Sequence, residues 1–321
     1  MENPEVPAWQ LARASGEAPS AGSGRILAGT ASWTDPTMLA PGVFYPAEAK
    51  TPEARLRFYG SLYPIVEVDA TYYAITAEPV ARAWANRTPP GFTFDVKAHA
   101  LMTGHPTEVR RLPAAVRELL PPEAAAKPRV YPRDLPEEAL ALVFELFSGS
   151  IEPLRDAGKL GAVLLQFPPW FYPSFGSFDA ILEARARLAG LPVSVEFRHG
   201  SWFNEKNRDR TLAFLHEHAI PYVVVDEPQG FRSSVPTVLE VTSPDLAIVR
   251  FHGRNAATWE AKGLSASQRF NYLYGEEELA ERVTDVRQLA REAKEVHLIF
   301  NNCYANYGTT NARQIAELLL R

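Results

Sequence analysis

Apolar, β-branched runs recur along the chain, and each ends in charged or amide residues held in one strand phase. The runs are Ile26–Trp33, Ile65–Tyr73, Phe92–Ala98, Gly161–Phe167, Pro192–His199, Pro221–Asp226, Ala247–His252 and Val296–Asn302. Residues two apart on a strand share a face. Glu67/Asp69, Glu196/Arg198 and Arg250/His252 therefore point one way, while Val66/Val68, Val195/Phe197 and Val249/Phe251 point the other. Helical periodicity fills most of the intervals, over Thr51–Leu62, Glu78–Arg87, Pro136–Leu154, Asp179–Ala189, Lys206–His218, Glu276–Lys294 and Thr309–Leu320. Eight strands alternating with helices predict an α/β fold of the (β/α)8 TIM-barrel type, whose active sites lie at the C-terminal strand ends.

Two intervals break the pattern. Residues 99–135 carry Pro113, Pro121, Pro122, Pro128 and Pro132 and read as an insertion over the barrel mouth. Residues 227–246 show no helical period, and Pro228, Gly230, Pro236 and Pro244 favour an irregular crossover at the sixth βα unit. Residues 1–24 are rich in Pro, Ala, Gly and Ser without a basic segment leading into an apolar one. They read as a flexible tail ahead of one domain, 25–321.

Composition narrows the class. With 321 residues and 46% hydrophobic content, the chain can bury the core of one such barrel. A net charge of −5 disfavours a general polyanion binder, although a basic patch can sit inside an acidic total. One cysteine, Cys303, excludes an internal disulfide and any CxxC metal motif. Nothing approaches the length of a membrane span, and the expected location is the cytoplasm.

The strand ends supply the candidate chemistry. Interior layers of this fold are mostly branched apolar residues, and an unpaired buried charge is costly. Glu67, Lys97, Glu196, Arg198, Asp226, Arg250 and His252 must therefore pair among themselves, meet solvent or meet a ligand. A metal reading takes Glu67, Glu196, Asp226 and His252 as ligands for Mg²⁺, Mn²⁺ or Zn²⁺, although no HxH or HExxH spacing is present. Lys97 is alternatively a Schiff-base amine or a salt-bridge partner of Glu67 or Asp95. An anion-binding reading uses the loops after strands seven and eight, where Gly253, Arg254, Asn301 and Asn302 offer backbone access, a guanidinium fork and amides. The bland alternative is loop bracing by the same side chains. Aromatics crowd the same ends, among them Trp33, Tyr73, Trp170, Tyr172 and Trp202, with Trp33 and Tyr73 as the best stacking candidates. No GxSxG elbow, P-loop or other nucleotide-cofactor motif is present.

These blocks carry a resemblance. Gly29-Thr30-Ala31-Ser32-Trp33, Phe44-Tyr45-Pro46, Val66–Tyr73, Phe94–Ala98, Gln166-Phe167-Pro168-Pro169, Glu196-Phe197-Arg198-His199, Arg250–Arg254 and Phe300-Asn301-Asn302 occur in order. Together they resemble the YecE-like family, domain of unknown function 72, over about residues 26–320. The chain departs from the commoner pattern at Ser32, where a second glycine is usual, and in its longer insertion after Lys97. The resemblance implies a TIM-type barrel and no particular reaction.

The leading expectation is an enzyme acting on a small, polar, phosphate- or carboxylate-bearing ligand. In it Glu196 is the general acid or base, with Glu67 or Asp226 as its partner. His252 exchanges protons or binds a metal, and Lys97, Arg198 and Arg254 hold the anion. The alternatives are a nucleic-acid-binding or phosphodiester-processing protein and a non-catalytic ligand sensor.

Overall fold

The computed structural model describes residues 24–188 and 190–321; apart from Gly24, the tail expected over 1–24 lies outside them. Eight strands form one parallel sheet: β1 (Arg25–Thr30), β2 (Ile65–Val68), β3 (Thr93–Lys97), β4 (Leu160–Gln166), β5 (Val193–Glu196), β6 (Val223–Asp226), β7 (Leu246–Phe251) and β8 (Glu295–Phe300). Their order is β5-β4-β3-β2-β1-β8-β7-β6, so each strand pairs with its neighbours in sequence except β5 and β6, which end the order, and β8 returns to β1. Between and after them run α1 (Pro52–Leu62), α2 (Glu78–Asn86), α3 (Glu137–Asp156), α4 (Phe175–Arg187), α5 (Arg208–Glu217), α6 (Glu276–Glu292) and α7 (Tyr307–Leu320). This is the (β/α)8 TIM-barrel class.

The chain forms two compact units. Among the described residues, the first comprises those up to Val66, Pro221–Gln229 and Thr237–Arg321; the second comprises Glu67–Ile220 and Gly230–Pro236. In the first, the buried Tyr59 hydroxyl on α1 accepts from the Thr30 amide at 3.0 Å and donates to the Ile65 carbonyl at 3.1 Å, joining β1 and β2. The strands approach so closely there that a Cβ on Gly29 would lie 2.0 Å from the Ile65 oxygen. Only glycine fits. Residues 227–246 form no helix, as their prolines predict. Side chains hold the crossover instead: Thr237 donates to the Val225 carbonyl at 2.9 Å, and Thr242 accepts from the Tyr222 amide at 2.9 Å.

In the second unit, β3 and β4 bury Phe94, Val96, Val163 and Leu165 completely. Buried Lys159 donates to the Ala85 carbonyl at 2.6 Å and the Thr88 carbonyl at 2.7 Å, satisfying carbonyls at the C-terminal end of α2. Helix α4 starts at Phe175, four residues before the periodicity predicts, because Ser174 caps it by accepting from the Ser177 amide. The 99–135 insertion is more regular than its prolines suggest. Thr107–Glu108 pairs antiparallel with Arg129–Val130, and short helices at Ala114–Glu118 and Pro122–Ala125 bury Val116 and Ala124. Among the described residues, no helix is long and apolar enough to cross a membrane.

Candidate functional site

Polar side chains gather at the strand ends of each unit. In the second unit the buried Glu196 ends β5, and its Oε1 accepts from Gln166 Nε2 at 2.7 Å and Arg198 Nη1 at 3.2 Å. Glu67, one residue before the end of β2, is buried as well. Lys97, at the end of β3, pairs with neither Glu67 nor Asp95. Its ammonium lies 3.2 Å from Asp69 and 4.7 Å from the centroid of the Tyr72 ring. Asp95 is already engaged, because its carboxylate accepts from the Ala162 amide at 2.9 Å. The Lys97–Asp69 contact is an ion pair without hydrogen-bond alignment.

The insertion contributes His105. Its ring meets Tyr72 edge-on at 5.3 Å and Trp170 at 5.7 Å. Burial, with the charges of Lys97 and Arg198, pushes its pKa down to about 3, so the imidazole is neutral at pH 7. Thr103 donates its hydroxyl proton to the Ala100 carbonyl and so accepts from His105 Nδ1 at 3.0 Å. That leaves the Nε2 lone pair as the ring's acceptor. Tyr73, Trp170 and Tyr172 stay open to solvent, with Trp170 half exposed at 50%. By contrast Trp202 is fully buried in a stack with Phe197 at 4.0 Å and Phe171 at 5.5 Å. It is a core residue.

In the first unit Asp226 ends β6 and accepts four hydrogen bonds. Arg254 donates two, Nε to Oδ1 at 2.8 Å and Nη2 to Oδ2 at 2.7 Å; Arg282 Nε adds one at 3.0 Å and the Tyr274 hydroxyl one at 2.9 Å. Burial alone would raise this carboxyl, but the bonds and charge of Arg254, with Arg282 and Tyr274 behind them, hold it below its ordinary range. The Arg254 guanidinium reaches Glu278 too, at 3.0 Å. Its fork is therefore spent inside the protein. Gly253 adopts φ +82°, and its amide donates to the Tyr274 hydroxyl at 2.9 Å, fixing the turn that delivers Arg254.

His252 is buried at the end of β7. The Asn301 amide donates to its Nδ1 at 2.9 Å, and its Nε2 lies 3.9 Å from Glu227. Phe270 and Trp259 stand 5.8 Å and 6.1 Å from the imidazole. Arg250 and Asn302 are buried, and Asn302 Nδ2 donates to the Tyr272 carbonyl at 2.9 Å and Asn311 at 2.8 Å, a loop-bracing arrangement. Trp33 is buried, and its carbonyl accepts from the Tyr45 hydroxyl at 2.5 Å.

The metal reading of Glu67, Glu196, Asp226 and His252 does not fit these positions. Among the described residues no group of three or more His, Cys, Asp or Glu side chains is arranged to hold an ion, and Asp226 is saturated by its own donors. Two residues were not legible as site members. His105 sits in a stretch without periodicity, and Glu227 follows Asp226 directly, where only its place after a strand end marks it.

Comparison with known proteins places the chain. The family model described as "Protein of unknown function DUF72" matches residues 27–321. The UPF0759 protein YunF of Bacillus subtilis (strain 168) is 31% identical over 297 residues, covering 92% of this chain and 94% of its own. The crystal structure of a DUF72 family protein from Thermotoga maritima is 31% identical with a TM-score of 0.70, covering 92% of this chain and all of that one. One from Enterococcus faecalis is 30% identical with a TM-score of 0.68, covering 83% and 88%. Family match and fold agree: the chain belongs to the DUF72 family.

Proposed function

We propose that the protein is an enzyme acting on a small, polar, anionic ligand by acid–base chemistry in the second unit. The carrying observation is the neutral His105 imidazole set in the field of Lys97 and Arg198, at the strand ends that present the buried Glu196. Lys97 holds one carboxylate by an ion pair that leaves its hydrogen-bond donors unaligned, so a phosphate or carboxylate oxygen can take them. Arg198 lies with Lys97 near the same imidazole, on the positive side of the cluster. Burial is the main depressor of His105, and an anion bound to Lys97 and Arg198 removes the smaller part that their charges add, so its Nε2 becomes a somewhat stronger base when ligand is present. Glu196, held by Gln166 and Arg198, is the second proton-transfer group. The exposed Trp170 ring beside His105 offers a face for an uncharged part of the ligand, such as a sugar.

The test is consumption of phosphate- and carboxylate-bearing metabolites, read by mass spectrometry, for the wild type, Glu196→Gln and Lys97→Met. Turnover of one anionic compound is expected, falling by about 100-fold or more in Glu196→Gln and showing mainly a raised KM in Lys97→Met. Full turnover in Glu196→Gln would remove the carboxylate from the reaction. Tight binding without turnover would instead identify a ligand sensor.

A further inference from the structure

The insertion holds a feature that the reading above does not use. Residues 99–135 carry six Lys/Arg against four Asp/Glu in a chain whose net charge is −5. Most of these cations flank an open groove of about 540 Å³, lined by Arg110, Arg117, Lys127 and Arg129 together with Glu108, Val109 and Pro128. The charges are unevenly matched. Glu108 alone faces three guanidiniums: Arg110 at 2.8 Å, Arg111 at 3.1 Å and Arg129 at 3.9 Å. Lys127 has Asp134 at 2.8 Å, and the exposed Arg117 meets no carboxylate within ion-pairing distance among the described residues. Positive charge therefore exceeds what the local acids neutralise.

Aromatic faces adjoin this charge. Arg111 lies 5.8 Å from the centroid of the Tyr73 ring, which is 47% exposed, and Tyr73 meets Tyr72 edge-on at 5.0 Å. Arg133 lies 4.7 Å from the Tyr131 ring. Cations that track a backbone, interleaved with rings that accept any flat base, are the physical requirements for binding an unpaired strand. A duplex is a poorer match. It hides its base faces, and the two-residue strands here make too short a ribbon to enter a major groove.

We propose that the basic groove of the insertion binds single-stranded nucleic acid, with phosphates on Arg110, Arg117, Lys127 and Arg129 and a base on Tyr73. None of Lys97, His105, Arg198 or Glu196 lines the groove; Tyr73 meets that cluster only through Tyr72, and the groove's occupancy does not depend on the reaction proposed there. Contacts to four phosphates give a slope of log affinity against log salt of about −3 for a single strand.

The experiment is fluorescence anisotropy of labelled oligothymidylate and oligouridylate on the full chain across a salt series. Binding at low salt is expected, weakening roughly 60-fold for a fourfold rise in salt. Arg110→Glu/Arg117→Glu/Arg129→Glu, all exposed positions, is expected to lose binding by at least about 100-fold while its circular dichroism stays that of the wild type. Lys97→Met is expected to bind the oligonucleotide as the wild type does, even if it loses the small-ligand reaction. Absence of binding at low salt, or unchanged binding in the triple variant, overturns the proposal. So does loss of binding in Lys97→Met, which moves the contact to the other cluster. Displacement by polyglutamate as readily as by unlabelled oligonucleotide also overturns it, because the groove then reads charge alone.

Discussion

Asp226 shows how much a single strand-end carboxylate is constrained. Four donors converge on its two oxygens, two from Arg254 and one each from Arg282 and Tyr274. Removing a partner from a buried charge network leaves the remaining charges without compensation, which costs more than the network's net contribution. Asp226→Ala is therefore expected to lose about 3–5 kcal/mol in urea unfolding, while Arg254→Ala, whose head is partly exposed, loses less. Equal and small losses would show that Asp226 is a spectator. The sequence placed Asp226 at a strand end and Arg254 in the loop after strand seven, as found, but could not say that they meet each other. Alternation fixes which face a residue is on, and the partner comes from strands distant in sequence. The same limit explains Lys97, which pairs with Asp69 rather than with Glu67 or Asp95. Asp69 lies just past β2, where the chain has already left the strand for a 3-10 turn at Ala70–Tyr72.

Elements were more legible than contacts. All eight runs became strands, because parallel strands buried on both faces read as near-continuous apolar segments. Their ends were overrun where the run continues past the strand, as at Ala70–Tyr72, a 3-10 turn after β2, and at residues 197–199, between β5 and the turn at Gly200–Phe203. Aromatic residues near strand ends looked alike in sequence, yet they divide sharply. Phe167, Phe171, Trp202 and Phe197 stack with centroid separations of 4.2, 5.5 and 4.0 Å, and the Trp202 indole donates to the Phe171 carbonyl at 2.7 Å. This column ties the loop after β4 to the turn after β5. Trp202→Ala empties a fully buried site and is expected to cost about 3–5 kcal/mol. Trp170→Ala, at a half-exposed position on the same loop, is expected to leave the melting temperature nearly unchanged. A comparable loss in both would mean that Trp170 is also structural.

At the scale of the whole molecule, acid acts through two windows of opposite chemistry and the same sign. His99 is fully buried, and burial pushes its pKa down to about 4; His105 is pushed to about 3 by burial, Lys97 and Arg198. In the unfolded chain both titrate near 6.5. Between pH 6.5 and about 4 the unfolded state therefore takes up protons that the folded state refuses, and stability falls as pH falls. For His99 the full window is worth about 3 kcal/mol; the partly exposed His105 adds less than its larger shift implies. The carboxylates take over lower down. Asp226 lies below its ordinary value on balance, its burial outweighed by Arg254, Arg282 and Tyr274. Glu295 does too, its burial outweighed by His297 and Arg25. Their stabilisation is present above the unfolded carboxylate range and is lost as pH drops through the folded values. Thermal melts are thus expected to be level from about pH 8 to 7, then to fall by at least about 5 °C by pH 4 and more steeply below. His99→Gln removes one titrating group, so it is expected to flatten the upper window while leaving the lower one intact. If the variant and the wild type fall in parallel between pH 6.5 and 4, the His99 imidazole is not the source of that loss, which then lies with His105 or with carboxylate networks that fail at a higher pH than their pairing implies.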